Sequence, residues 1–311
     1  MNYKQCAKLL LTHENILIVT HRNPDGDTVG SAAALCSALR RGGRTAWLYP
    51  NPQIAGKLLD YCSRFLAPEG FVPGYVVSAD VAEESLFPKG FEGKVDLCVD
   101  HHPTNSSFAS ESLVKPEKAS CAEIILELIQ NMNANLTKDE ATLLYIGLST
   151  DTGCFQYSNT NAAAFRAAAE MIRCGADSQA VNRRFFRTVP LARLQLESMI
   201  YGTLRFYRDG QIVVACVTRE MLEKTGVREE DLDDLAGLAG RAEGCELSIT
   251  IRELTDGTCK VSVRSSEKVS SCAVCEVFGG GGHVRASGCT IYGDAEKACE
   301  MLLNVIDEVW K

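Results

Sequence analysis

Between Asn15 and Asp151 the chain alternates short apolar runs with helical patterns, a rhythm that few folds accept. Asn15 to Thr20 reads as a buried strand, and Asp27 to Arg41 as a helix stopped by Gly42 and Gly43. Gly74 to Ala79 and Val95 to Val99 repeat the strand signal. Ala119 to Asn131 and Lys138 to Leu148 read as helices, the second running towards Asp151, and a first helix lies near Tyr3 to Leu11. Strands separated by helices return parallel to one another, so the expected class is α/β, a mostly parallel sheet with helices on both faces.

At 311 residues the chain exceeds what one core usually organises, and its character changes past the middle. Residues 161–208 are mainly helical, with Pro190 starting a helix that bridges two domains. Beyond it, Gln211 to Thr218, Glu246 to Glu253 and Lys260 to Arg264 alternate like antiparallel strands, with Asp256-Gly257 as a hairpin turn. The expected division is therefore 1–187, a helical linker 188–208, and a smaller mixed α+β domain 209–311.

Charge and targeting signals narrow the function. A net charge of −8 argues against a broad basic surface that would grip long duplex nucleic acid through many phosphates. The N-terminal apolar run is short, is interrupted by Lys8 and lacks a small-residue cleavage site, and no run approaches the roughly 18 residues of a membrane helix. A cytoplasmic location without membrane partners is expected. The 14 cysteines are scattered, and reduced thiols such as Cys98 and Cys216 read as small core residues. Cys272 and Cys275 form a single C-x-x-C, which without a second pair is read as packing.

Four of the five histidines lie in motif-like segments: His21 in HRNPDGD, His101 and His102 in VDHHPTN, and His283 in GGGGH. In parallel sheets ligands bind beyond the carboxyl ends of the strands. His21, Asp25, Asp27, Asp80, Asp100 and His101 all follow predicted strands, and Asp151 follows either a strand or a helix end. Each has an ordinary alternative: a turn with Asp27 as helix cap, a polar strand end at Asp100 to His102, or a lone capping acid at Asp80 or Asp151. Together, however, such carboxylates repel unless protonated or neutralised. Two divalent ions with one bridging carboxylate would neutralise them, and an oxygen-rich set with a few imidazoles favours Mn(II) or Mg(II). Asp100 would orient a ring nitrogen while one of the two histidines faces substrate. In the second domain, Gly279 to Gly282 can bring backbone N–H groups to an anion, and Arg264 can clamp a phosphate, against the alternatives of a flexible turn and a solvated strand arginine.

These segments resemble the DHH phosphoesterase superfamily, whose Asp-His-His triplet is matched by Asp100 to His102. HRNPDGDTVGS is similar to its first motif, Asp80 after a strand to its second, DHHPTN to its third and STDTGCF to its fourth. VRSS and FGGGGHVRASG resemble the DHH-associated domain, and the whole is similar to the nano-RNase and pAp phosphatase branch, where pAp is 3′-phosphoadenosine 5′-phosphate. The resemblance implies that His21, Asp25 and Asp80 hold one metal, and that Asp27, Asp80, His101 and Asp151 hold the other. It implies that Asp80 bridges, that His102 meets the phosphate or leaving group with Asp100 as orienter, and that Arg264, Gly280, Gly281, Gly282 and His283 bind substrate. Cys154, in the fourth motif, and Val284-Arg285, after the glycine run, depart from common family residues and bear on substrate preference.

The implied reaction is metal-assisted hydrolysis of short single-stranded oligoribonucleotides or linear dinucleotides to mononucleotides, with dephosphorylation of pAp beside it. Two other readings are weighed: a phosphatase or pyrophosphatase of another small metabolite, and a non-catalytic nucleotide sensor. A homodimer is compatible with the sequence.

Overall fold

A computed structural model describes residues 1–132, 134–232 and 235–310, and the chain divides into two compact units, Met1–Thr188 and Val189–Lys311. In the first unit the elements run α1 (Tyr3–Thr12), β1 (Ile16–Val19), α2 (Gly26–Arg41), β2 (Ala46–Leu48), α3 (Gly56–Cys62), β3 (Tyr75–Ala79), β4 (Leu97–Asp100), β5 (Glu111–Val114), α4 (Cys121–Asn131), α5 (Lys138–Asp151), α6 (Ala162–Arg173) and α7 (Ser178–Asn182). The five strands pair in the order β2-β1-β3-β4-β5, every pair parallel.

Alternation along the strands divides the core in two. Ile16, Ile18, Val77, Ala79, Leu97, Val99 and Leu113 point into one large cluster with the apolar faces of the helices. The opposite face differs from the expected second helical layer. There Val19, Val76 and Val95 pack against Tyr49, Phe87, Phe91 and Phe108. The physical reason is that the β3–β4 and β4–β5 connections contain no α-helix, so their aromatic residues cover the sheet instead.

Strand order reverses between β1 and β3, the position at which parallel sheets open a crevice at their carboxyl ends. Two glycines draw α2 and α5 together behind that crevice. A Cβ on Gly30 would lie 2.3 Å from the Leu143 carbonyl oxygen, and one on Gly147 would lie 2.6 Å from Asp27 Oδ1. Neither position has room for a side chain, and this close packing places the first turn of α2 against α5.

The second unit contains α8 (Leu191–Tyr201), β6 (Arg205–Tyr207), β7 (Ile212–Val217), α9 (Arg219–Thr225), β8 (Leu247–Glu253), β9 (Thr258–Ser265), α10 (Ser271–Glu276), β10 (Gly281–His283), β11 (Ala286–Tyr292) and α11 (Ala295–Val309). Its six strands run β10-β11-β9-β8-β7-β6. Three features correct the sequence reading. Arg205–Tyr207 is a strand rather than helix, β7 and β8 are parallel, and the glycine run continues into an edge strand. The β7–β8 connection carries α9, a crossover long enough for a parallel return. The turn at Asp256-Gly257 joins antiparallel β8 and β9. Helices α10 and α11 pack on one sheet face, and Leu196 and Ile200 of α8 pack on the other against Val213, Ala215 and Val217. Among the described residues no helix is long and apolar enough to cross a membrane.

Candidate metal centre

The carboxyl ends of β1, β3 and β4 deliver His21, Asp80 and the Asp100-His101-His102 triplet to one edge of the sheet. Asp25 caps α2, its side chain accepting the Thr28 backbone N–H at 3.0 Å, and Asp27 lies in the first helical turn. Asp151 is the last residue of α5, which resolves its placement in favour of a helix end.

Asp27 is fixed at both oxygens. Oδ2 accepts the Cys121 backbone N–H at 2.6 Å and Oδ1 that of Ala122 at 2.9 Å, so the carboxylate sits on the amino end of α4. Burial holds its pKa well above the carboxylate range, reinforced by Asp80, Asp151 and Asp25, while the Cys121 N–H opposes them.

Asp80 stands at the middle of the cluster with a left-handed φ of +60°, an uncommon conformation of the kind found at functional sites. Its Oδ1 lies 3.5 Å from His101 Nε2 and 3.7 Å from His102 Nδ1, and its Oδ2 lies 4.0 Å from His21 Nε2. Oδ1 is buried and has no hydrogen-bond partner among the described residues. Burial raises the Asp80 pKa, as does Asp25, and His101, the Thr28 hydroxyl and His102 lower it. His101 Nε2 also approaches Asp151 Oδ2 at 3.7 Å and Asp27 Oδ2 at 4.0 Å. Burial, partly offset by His101, lifts Asp151 to about 6.

The histidines are oriented from behind. His101 Nδ1 lies 3.3 Å from the Lys118 carbonyl, which leaves Nε2 for the carboxylates. His102 Nδ1 donates to Asp100 Oδ1 at 2.8 Å. Asp100 is fully buried, and it also accepts the His101 backbone N–H at 2.8 Å and the Asn105 amide at 2.7 Å. Burial alone would raise the Asp100 pKa, but hydrogen bonds from His102 and Asn105 hold it below its ordinary value. The hydrogen bond to Asp100 pushes His102 up to about 9 against its burial.

The donor chemistry fits divalent ions. Three groups have ligand atoms within 4.8 Å of one another: His21 with Asp25 and Asp80, Asp27 with His101 and Asp151, and Asp80 with His101 and His102. Asp80 and His101 each belong to two of them. An orphaned carboxylate oxygen among imidazoles and further carboxylates is an unfavourable arrangement for a protein alone, and cations satisfy it.

Sequence reasoning missed Thr28. Its buried hydroxyl lies 2.6 Å from His21 Nε2, 2.6 Å from Asp80 Oδ2 and 3.0 Å from Asp25 Oδ1, joining the loop that holds His21 and Asp25 to the end of β3. Asn105 stands in the DHHPTN segment, and its amide donates to the second oxygen of Asp100.

Residues 15–148 match the DHH family N-terminal domain, and residues 209–311 match the DHHA1 domain. The chain is also 35% identical over 298 residues to the bifunctional oligoribonuclease and PAP phosphatase NrnA of Thermus thermophilus, covering 94% of this chain and 89% of the relative. The chain belongs to the DHH family. Among solved structures, an exopolyphosphatase-related protein from Bacteroides fragilis shares the fold with a TM-score of 0.85 at 23% identity, over 98% of this chain and 96% of that one. The DHH fold is shared more distantly with RecJ from Thermus thermophilus, crystallised with Mn2+, at a TM-score of 0.52 and 14% identity over 98% of this chain and 54% of that one.

In the DHHA1 unit, Arg264 lies on β9 directly opposite Ala286 of β11, which pairs with His283 of β10. The sequence-predicted Arg264 and His283 therefore share one row across three strands, and both are exposed. Gly280 abuts β11, where a Cβ would lie 2.3 Å from the Gly288 carbonyl oxygen. Gly281 and Gly282 pair with Gly288 and Ser287, so the run is partly committed to strand hydrogen bonds rather than forming an open anion loop.

Proposed function

We propose that this DHH-family protein is a two-metal phosphoesterase that hydrolyses short oligoribonucleotides and linear dinucleotides to mononucleotides and removes a phosphate from pAp. The observation that carries this reading is the buried Asp80 carboxylate, with an unpartnered oxygen, shared between a His21–Asp25 group and a His101–His102 group. The naming of the Thermus relative, an oligoribonuclease and PAP phosphatase, supports the substrate class. A net charge of −8 supports short substrates over long duplexes.

His21, Asp25 and Asp80 would hold one ion, and Asp27, Asp80, His101 and Asp151 the other, with Mn(II) preferred and Mg(II) as substitute. When bound, the ions supply Lewis-acid charge neutralisation at the phosphoryl group and an activated water. The chain's own residues do the rest. Asp100 holds the proton on His102 Nδ1, which turns Nε2–H outward to meet a phosphoryl or leaving oxygen. The His102 side chain is 42% exposed, so that contact is open to an incoming ligand. Within the second unit, Arg264, His283 and the Gly280 to Gly282 segment would be the groups that bind nucleotide.

The test is product analysis in Mn(II) with a two-nucleotide RNA, a longer RNA and pAp. Conversion of the dinucleotide to mononucleotides together with release of phosphate from pAp is expected, with the longer RNA spared. Cleavage of pAp alone would replace this reading with a metabolite phosphatase, and binding without turnover would replace it with a sensor.

A further inference from the structure

The residues of one metal-ligating group in the first unit hang from a single short stretch of chain. Residues 118–122 lead into α4, and they reach Asp27, His101 and Asp151 in turn. The Lys118 carbonyl faces His101 Nδ1 at 3.3 Å, the Cys121 and Ala122 N–H groups hold the two oxygens of Asp27, and the Ala119 carbonyl accepts the Asn159 amide at 3.1 Å. The same amide donates to the Asp151 carbonyl, also at 3.1 Å. Both acceptors are carbonyl oxygens, so the Asn159 side chain must present its nitrogen, and its two N–H groups tie together two segments distant in sequence. The stretch is itself braced. Glu123 accepts the Ala119 N–H at 3.0 Å, and Lys118 Nζ bridges Glu123 and Glu127.

The chain between Asp151 and Asn159 is bent against its own preference. Helix α5 ends at Asp151, and its last carbonyls need partners from outside the helix. Gly153, Cys154 and Phe155 take left-handed φ values of +55°, +55° and +64°, a run that L-residues avoid. The run folds the chain back, so that the Cys154 N–H reaches the Ser149 carbonyl at 2.7 Å and the Gly153 N–H the Thr150 carbonyl at 3.1 Å, while the Asn159 side chain reaches that of Asp151. Phe155 stacks on Phe165, and the Tyr157 ring covers Gly153, where a Cβ would lie 2.4 Å from it. Strain of this kind persists where the surroundings enforce it, and it gathers at functional sites. The other group, His21 with Asp25 and Asp80, is joined by Thr28 and makes no hydrogen bond to residues 118–122 among the described residues.

We propose that Asn159 is a positioning residue that registers Asp151 against the 118–122 stretch, so that its loss weakens one metal site and spares the other. This deepens the two-metal reading above and rests on it. Asp27 and His101 meet the stretch directly, whereas Asp151, on a helix end followed by a strained turn, is tied to it through Asn159. Without the amide, that helix end can shift relative to His101 Nε2, which lies 3.7 Å from Asp151 Oδ2. The Asp27–His101–Asp151 group then loses its fixed spacing, and the His21–Asp25–Asp80 group does not.

The test is calorimetric titration of the metal-free full chain with Mn(II), with unfolding curves in EDTA beside it. The wild type should take up two ions. Asn159→Ala should keep one at wild-type affinity and bind the other about 10–100-fold more weakly, the range for removal of a group behind a ligand. If Asn159→Ala does not fold, Asn159→Gln carries the same expectation, because its amide is displaced by one methylene and no longer spans both carbonyls. Asn161→Ala is the control for a merely structural role: Asn161 caps α6 and donates to the Glu117 carbonyl at 3.5 Å, on the same loop but away from Asp151. It should lower the unfolding temperature in EDTA and leave both Mn(II) affinities unchanged. Unchanged binding in the Asn159 variant, equal weakening of both ions, or the same selective loss in Asn161→Ala overturns the positioning role. Uptake of fewer than two ions by the wild type defeats the two-metal reading itself, and this proposal with it.

Discussion

Gly147 on α5 faces Asp27 on α2 so closely that a Cβ at position 147 would lie 2.6 Å from the carboxylate Oδ1 and 2.8 Å from the Ala122 Cβ. The Asp27 carboxylate is thus clamped between the amino end of α4 and the bare backbone of α5. Gly147→Ala must displace it or separate the helices. Overpacking of this kind costs about 1–3 kcal/mol, partly offset by the better helix propensity of alanine. Thermal unfolding should show that loss, and Mn(II) titration should show weakened binding. Unchanged binding would detach Asp27 from the metal set.

Asp80→Ala separates metal chemistry from folding. Removing partners behind a metal ligand typically costs 10–100-fold in affinity or activity, so removing the proposed shared ligand should cost at least about 100-fold in kcat. Without metal, the variant should be at least as stable as the wild type, because it deletes a buried carboxylate that repels its neighbours and has an unpartnered oxygen. Rates at saturating Mn(II) and unfolding curves in EDTA check the two halves. A near-normal rate would remove Asp80 from the bridging role.

Much of this site was legible because strand ends are visible in sequence. The ILIV run announces His21, and LCVD announces Asp100 and the histidines, since a parallel sheet sends all such ends to one edge. The packing of α2 on α5 was not legible. Gly30 and Gly147 look like ordinary helix-weakening residues until the two helices are superposed at contact distance, and only then do Asp27 and Asp151 become neighbours. Thr28 was hidden for a related reason: a threonine three residues after a capping aspartate reads as local helix chemistry, and its approach to Asp80 spans 52 residues. In the second unit, apolar alternation identified β7 and β8 but carries no information on direction. Their parallel pairing follows from the intervening helix-bearing segment. The glycine run signalled turns, but its pairing with β11 depends on a strand edge that sequence does not show.

Asp100→Asn tests orientation independently of metal ligation. The substitution keeps the shape but replaces a carboxylate that accepts from His102, the His101 backbone and Asn105. The amide oxygen still accepts from His102, but the new amide N–H group faces the Asn105 donor and the negative charge that keeps the His102 ring charged is gone. A fall in kcat of about 10–100-fold is expected, with Mn(II) affinity reduced less than in Asp80→Ala. Asn105→Ala should reproduce a smaller part of the same loss. If Asp100→Asn instead abolishes Mn(II) binding while His102→Ala does not, Asp100 acts through the metal groups rather than through His102.

Metal removal should act on the first unit as a ligand-linked change in stability. A cation that binds only the folded chain adds about 2.7 kcal/mol at a concentration one hundred times its Kd. For a unit of this size that corresponds to a rise in Tm of about 5–10 °C, at roughly 2–4 °C per kcal/mol. Mn(II) added to EDTA-treated protein should therefore raise Tm by that amount, and Mg(II) should do so at higher concentration. The gain should vanish in Asp80→Ala and persist in Lys260→Ala, because Lys260 belongs to the other compact unit and no metal-ligating group of the described residues includes it. A Tm shift that survives Asp80→Ala would place the stabilising ion elsewhere and break the link between this cluster and catalysis.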